Sequence, residues 1–463
     1  MNFLNSDSRL PKSLIAKTRT LALMLIFGFL ATFLNAQQVD VWIGTSKAGG
    51  IFHLKLNTAN GKLSQPRNVS TIADSGFLAM HPTKEVLYST GRQNNKSGIA
   101  AFSIGNSPVK PAIAKPVVAK LKPNPELEAA QSKLKELARS YGSDHPAIIA
   151  AAKRVQALRK IESQSKAIPK TDSTPARNKP QPDNNSFGLT RISFVETGDG
   201  GAACVAVDKT GKVAMSAQYG GGSVSTYQLA ADGSIINLVG AIEHGAGSGV
   251  KGKRQAASHP HWVGTSPDNK LLMVPDLGKD ATVVYKLDSE SGKLEKHSEI
   301  PSPPGAGPRH MKFHTSGKYA YVLNELSLSV SVFKFDAANA KFEKLQEIEA
   351  LPDELKDEQL HSAAEIRVHP TGKFVYTSNR GHDSITVFSV DQESGKLNFV
   401  QRESIRGAWP RNFNIDPSGK WLLAAGRHTN TLTLFSIDEE TGKLAYARKS
   451  VNVPAPICVL FGK

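Results

Sequence analysis

A short pattern recurs along the chain: an apolar run, then Pro or Asp with Ser, Thr or Gly, then Gly-Lys, then a run rich in aromatic and β-branched residues. The clearest copies are Val368–Tyr376 and Ile415–Leu423. Each is typical of two strands joined by a tight turn, because Pro, Asp, Ser and Gly tolerate turn dihedrals while β-branched and aromatic residues favour strands. Fainter copies lie at Met80–Tyr88, Val207–Met215, Thr265–Met273 and Phe313–Tyr321.

The repeat predicts an all-β fold, a seven-bladed β-propeller. Third strands follow the turn units at Ser384–Val390 and Thr431–Ile437. Later copies are spaced by about 50 residues, as expected for radial four-stranded blades. Strands at Val39–Thr45 and Ile51–Leu56 have no turn unit before them, whereas 455–461 is a lone strand. If the N- and C-terminal strands share one blade, two open sheet edges disappear and the ring closes on itself.

The start of the chain has the layout of a secretory signal peptide. Basic residues precede an apolar run from Leu21 to Leu34, which indicates export to the periplasm or the exterior. The run is short for a membrane span of about 20 residues. An uncleaved anchor is the alternative, since Leu34 stands where a small residue is preferred before a cleavage site. The predicted organisation is a signal peptide at 1–36, propeller blades at 37–105 and 188–463, and an insertion at 106–187.

The insertion at 106–187 is rich in Lys, Pro and Ala and interrupts the blade pattern. Apolar residues follow helical spacing from Leu127 and again from Ile148, so we expect a helical hairpin between disordered tethers. Two interpretations stay open. The insertion is either a solvated appendage without function or an attachment to a protein partner or a surface.

The formal net charge of +16 does not predict a nucleic-acid partner. The insertion alone holds 15 Lys and Arg against 7 Asp and Glu, which is half of the excess. Many other lysines belong to the Gly-Lys turns, where a solvated turn residue is the simplest interpretation. The two cysteines, Cys204 and Cys458, exclude a disulfide framework. We expect both to be buried free thiols in inner strands of non-adjacent blades.

Polar residues cluster just before or just after the inner strands of successive blades. Equivalent positions of radial blades meet at the axis, so we expect these side chains to converge at one mouth of the central channel. The candidate catalytic residues are His261, Glu325, Arg309 and Arg380, and the candidate substrate-binding residues are Arg254, His259, Asp276, His310, Asn379 and Arg411.

Ordered motifs around these residues resemble the seven-bladed propeller lactonases of the 6-phosphogluconolactonase type. The resemblance extends over about Val39–Leu460 apart from the insertion, with two departures from the usual family pattern, at Ser258 and at Cys204-Val205. The motifs are Tyr219–Val224, Arg254-Gln255, Ser258–His261, Ser266–Asp268, Pro275–Asp280, Gly307–His310, Leu323–Leu326, Ser378–Gly381 and Trp409–Phe413. The family also includes fungal carboxymuconate-lactonising enzymes, and the resemblance implies that their proposed site residues correspond to His261, Arg309, Glu325 and Arg380.

Opening a lactone with water needs a base, a donor for the tetrahedral oxyanion and an acid for the leaving alkoxide. We expect His261 to serve as base and acid because an unperturbed imidazole titrates near neutral pH. Glu325 is the second candidate, although neighbouring arginines would weaken it as a base. Arg309 and Arg380 suit a carboxylate, a phosphate or the oxyanion. No cofactor or metal is predicted, although Asn324, Asn379 and Glu325 would suit calcium.

The sequence thus predicts an exported, metal-independent lactonase that acts on a small-molecule lactone, with the phosphorylated sugar lactone as the first candidate. A phosphorylated sugar lactone is a cytoplasmic metabolite, so an unphosphorylated or carboxylated lactone stays open as the substrate of an exported chain. The lactonising direction is a variant of the same chemistry. The alternative from another class is an exported binding or scaffold propeller without catalytic activity. The oligomeric state is not predicted.

Overall fold

The computed structural model describes residues 38–46, 49–70, 72–106, 187–357 and 360–462. These residues form seven antiparallel sheets arranged as a propeller, so the predicted fold class is confirmed. The predicted signal peptide and helical hairpin lie outside the described residues. Within the described ranges, no helix is long and apolar enough to cross a membrane.

Blades 2 to 7 each contain four consecutive strands, and blade 1 combines the first four strands with the last one. Two short 3₁₀ helices, Gly252–Arg254 and Asp353–Leu355, lie in loops between blades. In blades 1 to 3 the strands are β1 Gln38–Thr45, β2 Ile51–Asn57, β3 Lys62–Leu63, β4 Arg67–Ser70, β5 Leu78–Met80, β6 Val86–Gln93, β7 Lys96–Asn106, β8 Phe187–Glu196, β9 Ala202–Val207, β10 Val213–Gln218, β11 Ser223–Leu229 and β12 Ile235–Glu243.

In blades 4 to 7 the strands are β13 Gly264–Thr265, β14 Leu271–Asp276, β15 Ala281–Leu287, β16 Leu294–Pro301, β17 Pro308–Phe313, β18 Tyr319–Asn324, β19 Ser329–Asp336, β20 Lys341–Glu349, β21 Ser362–Val368, β22 Phe374–Arg380, β23 Ser384–Val390, β24 Leu397–Ser404, β25 Pro410–Ile415, β26 Trp421–Gly426, β27 Thr431–Ile437 and β28 Leu444–Asn452. The last strand, β29 Pro456–Phe461, belongs to blade 1. Strands β5, β9, β13, β17, β21, β25 and β29 are the inner strands. From β17 through β21, β25, β29 and β5 to β9, each contacts the next around the axis, and in blade 4 the longer β14 contacts β17.

The terminal strands close the ring as predicted. Strand β29 pairs antiparallel with β1, from Val41 opposite Phe461 to Thr45 opposite Pro456. The first blade therefore takes its inner strand from the end of the chain, which satisfies backbone groups of β1 that would otherwise form an open sheet edge.

The Gly-Lys turns join neighbouring blades. Gly372 and Gly419 adopt left-handed φ angles of 75° and 76°, which a residue without Cβ tolerates. The carbonyl of Gly372 lies 2.9 Å from His314 Nε2 of the preceding blade, and that of Gly419 lies 2.8 Å from His369 Nε2. The recurring turn is thus a contact point between blades as well as a chain reversal, and the apolar core lies between the blades as well.

Both cysteines are free and buried, Cys204 in β9 and Cys458 in β29, with blade 2 between their two blades. The prediction for the thiols is therefore confirmed. The ends of the insertion, Asn106 and Phe187, are paired across β7 and β8. Strand β7 begins near Ser97, which lines the cavity at one mouth of the channel. Asn106 and Phe187, at the other end of the β7–β8 pair, therefore lie on the opposite face of the ring.

Candidate active site

One face of the ring carries most of the predicted polar residues. Inner strands begin and second strands end at this face, so Arg309 near the start of β17 and Arg380 at the end of β22 lie close together. A cavity of about 540 Å³ opens there and is lined by five predicted residues: His261, Glu325, Arg254, Arg380 and Arg411. The fold therefore gathers residues that are more than 150 positions apart in the sequence into one site.

A smaller inner cavity of about 190 Å³ continues from the first, sharing Asp74, His261 and Arg411 with it. Arg309 and His310 line this second space. Together the two cavities bring seven of the ten candidate residues to a common solvent-filled site.

Glu325 is the electrostatic centre of the larger cavity. Its side chain is 6% exposed, and Oε2 accepts from Arg309 Nε at 2.8 Å and forms an ion pair with Arg380 Nη2 at 3.0 Å. Oε1 accepts from Arg254 Nη2 at 2.5 Å. Burial alone would raise the pKa of this carboxyl, but Arg380, Arg309 and Arg254 outweigh it and hold the pKa far below its usual range. Glu325 is thus a permanently ionised counter-charge and a poor proton acceptor.

Arg309 begins a chain of hydrogen bonds that runs through His310 to Glu365. Its Nη1 donates to the carbonyl of Ala364 and to His310 Nε2, the latter at 2.9 Å. His310 Nδ1 lies 3.0 Å from Glu365 Oε1. Because a guanidinium only donates, His310 Nε2 accepts and Nδ1–H donates to Glu365, which requires a neutral ring. Burial, assisted by Arg309, lowers the pKa of His310 to about 3, in agreement with this tautomer.

Arg411 is a cation with no ion-pair partner among the described residues, although Glu325 lies near enough to act on its charge. Its guanidinium forms no hydrogen bond or ion pair with any side chain in the described part of the chain, although it lines both cavities. Burial and the nearby Arg309 and Arg380 lower the pKa of Arg411 to about 9. Burial likewise lowers the pKa of Arg309 to about 10. These shifts express the unfavourable concentration of positive charge at a site where Arg309 and Arg411 both stay protonated at neutral pH.

His261 lies between the two cavities, 4% exposed. Its Nδ1 is buried and has no hydrogen-bond partner among the described residues. Burial, together with Arg309, His310, Arg411 and Arg380, lowers the pKa of His261 well below its usual value. The ring is therefore neutral at physiological pH, so the reason for expecting an easily protonated base at this position does not hold.

Three predicted residues lie beside the cavities without lining them. Asp276 Oδ1 accepts from the backbone N–H groups of His259, Gly278 and Lys279 at 2.7, 2.9 and 3.1 Å, which fixes the loop before His261. The His259 ring stacks on Tyr219 with centroids 4.5 Å apart. Asn379 Nδ2 donates within its own blade, to Ser384 Oγ at 3.2 Å and Thr386 Oγ1 at 3.0 Å. These contacts hold the site in place.

The cavities also contain side chains that the sequence did not single out. Tyr219 meets His261 edge to face at 5.4 Å, and Trp409 lies under the Arg380 guanidinium at 5.5 Å. Trp409 Nε1 and Arg380 Nε are buried donors without partners in the described residues. Asp74 lines both cavities and pairs with Arg92 at 3.7 Å. Trp409 lies within a family motif, which could have identified it, whereas no sequence signal points to Asp74.

In the part of the chain that the structure describes, no three His, Cys, Asp or Glu side chains are grouped as metal ligands would be. The absence of a metal remains a prediction about the reaction.

Known proteins match the chain over most of the ring. A family profile described as "Lactonase, 7-bladed beta-propeller" matches residues 40–121 and 124–461. The chain is 37% identical over 282 residues to the 6-phosphogluconolactonase of Bacillus subtilis, which covers 61% of this chain and 79% of that protein. It is 36% identical over 239 residues to the 6-phosphogluconolactonase of Formosa agariphila, covering 50% of this chain and 66% of that one.

Solved structures agree on the architecture. A Lactobacillus plantarum protein superimposes with a TM-score of 0.70 at 26% identity, covering 92% of this chain and 100% of that one. The periplasmic gluconolactonase of Pseudomonas aeruginosa superimposes with a TM-score of 0.69 at 24% identity, covering 92% and 99%, which is a likeness of fold. With the propeller, the ordered motifs and the family match in agreement, the chain belongs to the family of lactonases with a seven-bladed β-propeller.

Proposed function

We propose that this chain hydrolyses a sugar lactone that carries an anionic group, with 6-phosphogluconolactone as the first candidate. The observation that carries the proposal is Arg411, whose guanidinium faces both cavities unpaired in the described residues, beside Arg309 and Arg380. A partly buried cation at a cavity, with no ion-pair partner among the described residues, is best stabilised by a ligand that supplies the anion. The name of the Bacillus subtilis relative, a 6-phosphogluconolactonase, supports the same substrate class.

The arginines divide into two groups by the donors they have left. Arg309 donates its Nε to Glu325 and its Nη1 to the Ala364 carbonyl and to His310. Since these donors are already engaged, Arg309 contributes mainly positive electrostatic potential. Arg380 donates its Nη2 to the Ala363 carbonyl at 2.9 Å but keeps a buried Nε without a partner among the described residues. The Arg411 guanidinium forms no hydrogen bond with any side chain among them. We assign Arg380 and Arg411 to the anionic group and to the tetrahedral oxyanion, where one well-placed donor is worth about 3 kcal/mol.

The predicted roles of the two titratable candidates are refined accordingly. Glu325 orients Arg309, Arg380 and Arg254 as a fixed anion. His261 acts as a neutral hydrogen-bonding group at the junction of the cavities, where its buried Nδ1 has no partner among the described residues. Neither role needs a metal, so metal-independent hydrolysis is part of the proposal.

The test is hydrolysis of 6-phosphogluconolactone and of glucono-lactone by the purified chain, with spontaneous hydrolysis subtracted and a chelator present. Variants His261→Ala and Arg380→Gln remove cavity groups. Arg406→Gln is the matched control, since Arg406 pairs with Glu403 at 2.9 Å on the outside of the ring. We expect both cavity variants to lose about 100-fold or more of kcat/KM, the control to match the wild type, and the chelator to have no effect.

A folded wild-type protein that leaves both lactones at their spontaneous rates would refute the proposal and favour a binding propeller. Activity that disappears with the chelator and returns with calcium would refute metal independence. Rapid ring closure of a carboxylated acid, without lactone hydrolysis, would favour the lactonising alternative. Export of the chain is a separate proposal, tested by finding mature protein without residues 1–36 outside the cytoplasm.

A further inference from the structure

The proposed hydrolysis lacks a base, because Glu325 is held as an anion by three arginines and His261 is surrounded by cations that oppose its protonation. We propose that Asp74 is the general base, which removes a proton from a water molecule held in the inner cavity. This assignment rests on the proposed lactonase function. It adds a catalytic group that the sequence motifs do not indicate.

Asp74 has the right location. Of the described residues that line either cavity, Asp74 and Glu325 are the ones with carboxylates, and Asp74 lines both spaces. It shares them with His261 and Arg411, which places it in the same site as the proposed oxyanion donors. A water in the inner cavity would lie between this carboxylate and the lactone carbonyl.

The Asp74 side chain is also more accessible to a water molecule than that of Glu325. Its ion pair with Arg92 is long, at 3.7 Å, and both side chains are about half-exposed, at 45% and 51%. Exposed pairs of this kind interact weakly because water screens them. Glu325, at 6% exposed with three arginine contacts, is the opposite case.

The blade repeat explains how the inner cavity forms. In blade 7 the carbonyl of Trp409 accepts from the N–H of Arg411 at 2.8 Å, and the arginine side chain enters the cavity. In blade 2 the carbonyl of Asp74 accepts from the N–H of Gly76 at 2.7 Å in the same way. Gly76 thus occupies the arginine position without a side chain, and it lines the space of about 190 Å³. Since one water needs about 30 Å³, several fit there.

Asp74 holds its position at a conformational cost. Its φ of 49° is left-handed, and the matching residue before Arg309 in blade 5 is Gly307, with φ of 63°. A residue with Cβ pays on the order of 1 kcal/mol there. Contacts fix the backbone on both sides, because Ala73 O accepts from the N–H of Arg92 at 2.8 Å and Ser75 O from that of Thr45 at 2.9 Å. The matching residue in blade 7 is Trp409, with φ of 62°, so the left-handed backbone recurs around the ring. Asp74, unlike Gly307 and Trp409, brings a carboxylate to both cavities.

Asp74 acts twice in the proposed reaction, first as the base and then as the acid. The water oxygen forms a bond to the lactone carbonyl carbon while the Asp74 carboxylate takes a proton from that water. The carbonyl electron pair becomes an oxyanion beside the arginines. When the oxyanion collapses, the bond between the carbonyl carbon and the ring oxygen breaks, and the ring oxygen receives the proton from Asp74. Lactone plus water gives the open hydroxy acid, which ionises, and Asp74 returns to the carboxylate.

The test compares the wild type with Asp74→Asn on 6-phosphogluconolactone. Asn has the same size and tolerates a left-handed φ, so the thermal midpoint is expected to stay unchanged. We expect kcat to fall about 100-fold or more, the usual contribution of a general base, with KM changed by less than about threefold. Asp40→Asn is the control, since Asp40 pairs with His53 at 2.8 Å in blade 1 and lines neither cavity. It is expected to keep the wild-type rate.

Two readouts separate a base from a structural carboxylate. The rate of Asp74→Asn should rise about tenfold per pH unit as hydroxide replaces the activated water, while the wild type shows a plateau. Added formate should restore part of kcat in Asp74→Ala. An active wild type with an equally active Asn variant, or a variant changed in KM alone, would overturn the assignment of Asp74. An inactive wild type would overturn the proposed function together with it.

Discussion

The clearest energetic consequence of the site concerns Glu325, the anion that three arginines share. Replacing it by Gln keeps the size and the acceptor oxygen but removes the charge that faces Arg309 and Arg380 at 2.8 and 3.0 Å. Removing one partner of a buried ion pair costs about 3 to 5 kcal/mol, since the remaining charge is left uncompensated. An unfolding entropy of about 0.7 kcal/mol/K for a ring of this size converts this loss to a fall of about 4 to 7 °C in Tm.

The assay is thermal unfolding at neutral pH and low salt, with Glu295→Gln as the matched control. Glu295 pairs with Lys286 at 3.1 Å, and both side chains are more than half exposed, at 73% and 55%. Its removal is expected to change Tm by less than about 1 °C. Inorganic phosphate should raise the Tm of Glu325→Gln more than that of the wild type, because the released arginines gain an anion. A variant as stable as the wild type would refute the view that Glu325 is the counter-charge of the cavity.

Three further consequences can be measured directly. The pKa of His310 is about 3 in the fold and about 6.5 when unfolded, so below about pH 6.5 the unfolded chain binds the extra proton and stability falls. Urea unfolding should show a smaller loss of stability on acidification in His310→Gln than in the wild type. An equal loss would contradict a neutral buried ring. Burial raises the pKa of Cys204 and Cys458 to about 12, so a thiol reagent should label neither in the native protein and both in denaturant; rapid native labelling would refute their burial. Deleting 456–463 removes the inner strand of blade 1 and should give aggregation in size-exclusion chromatography, whereas a stable monomer would show that the ring does not need this closure.

The strands could be predicted because their signal is local. Turn residues and β-branched runs define Ser384–Val390 and Thr431–Ile437 with the bounds that the structure has. The closure through 455–461 was also predictable, since an unpaired terminal strand and an incomplete first blade complement each other.

The sequence could predict which residues are candidates for the site, but not which of them line the cavities. Position before or after an inner strand identified Arg309, Arg380 and Arg411, but the same criterion selected Asp276, which caps backbone N–H groups beside the cavity. Sequence does not separate a capping carboxylate from a lining one, because the difference lies in the loop conformation. Asp74 is the converse case, since its proposed role follows from its place in both cavities and from the space at Gly76.

The pKa shifts of the site residues could not be predicted from the sequence for the same reason. The ordinary pKa of an imidazole suggested an easily protonated His261, yet four cationic or titratable neighbours from other blades lower that pKa. Their effect depends on convergence at the axis, which no short segment of the sequence contains.

The ratio of kcat/KM for 6-phosphogluconolactone over glucono-lactone, measured in the wild type and in Arg411→Gln, shows whether the cavity binds an anionic substrate. If the unpaired Arg411 binds an anionic group, the wild type prefers the phosphorylated lactone, and the variant loses about 10- to 100-fold on that substrate alone, as expected for a charge-assisted contact of about 1.5 to 3 kcal/mol. Equal rates on both lactones, or an equal loss on both in the variant, would contradict an arginine cavity built for an anionic substrate.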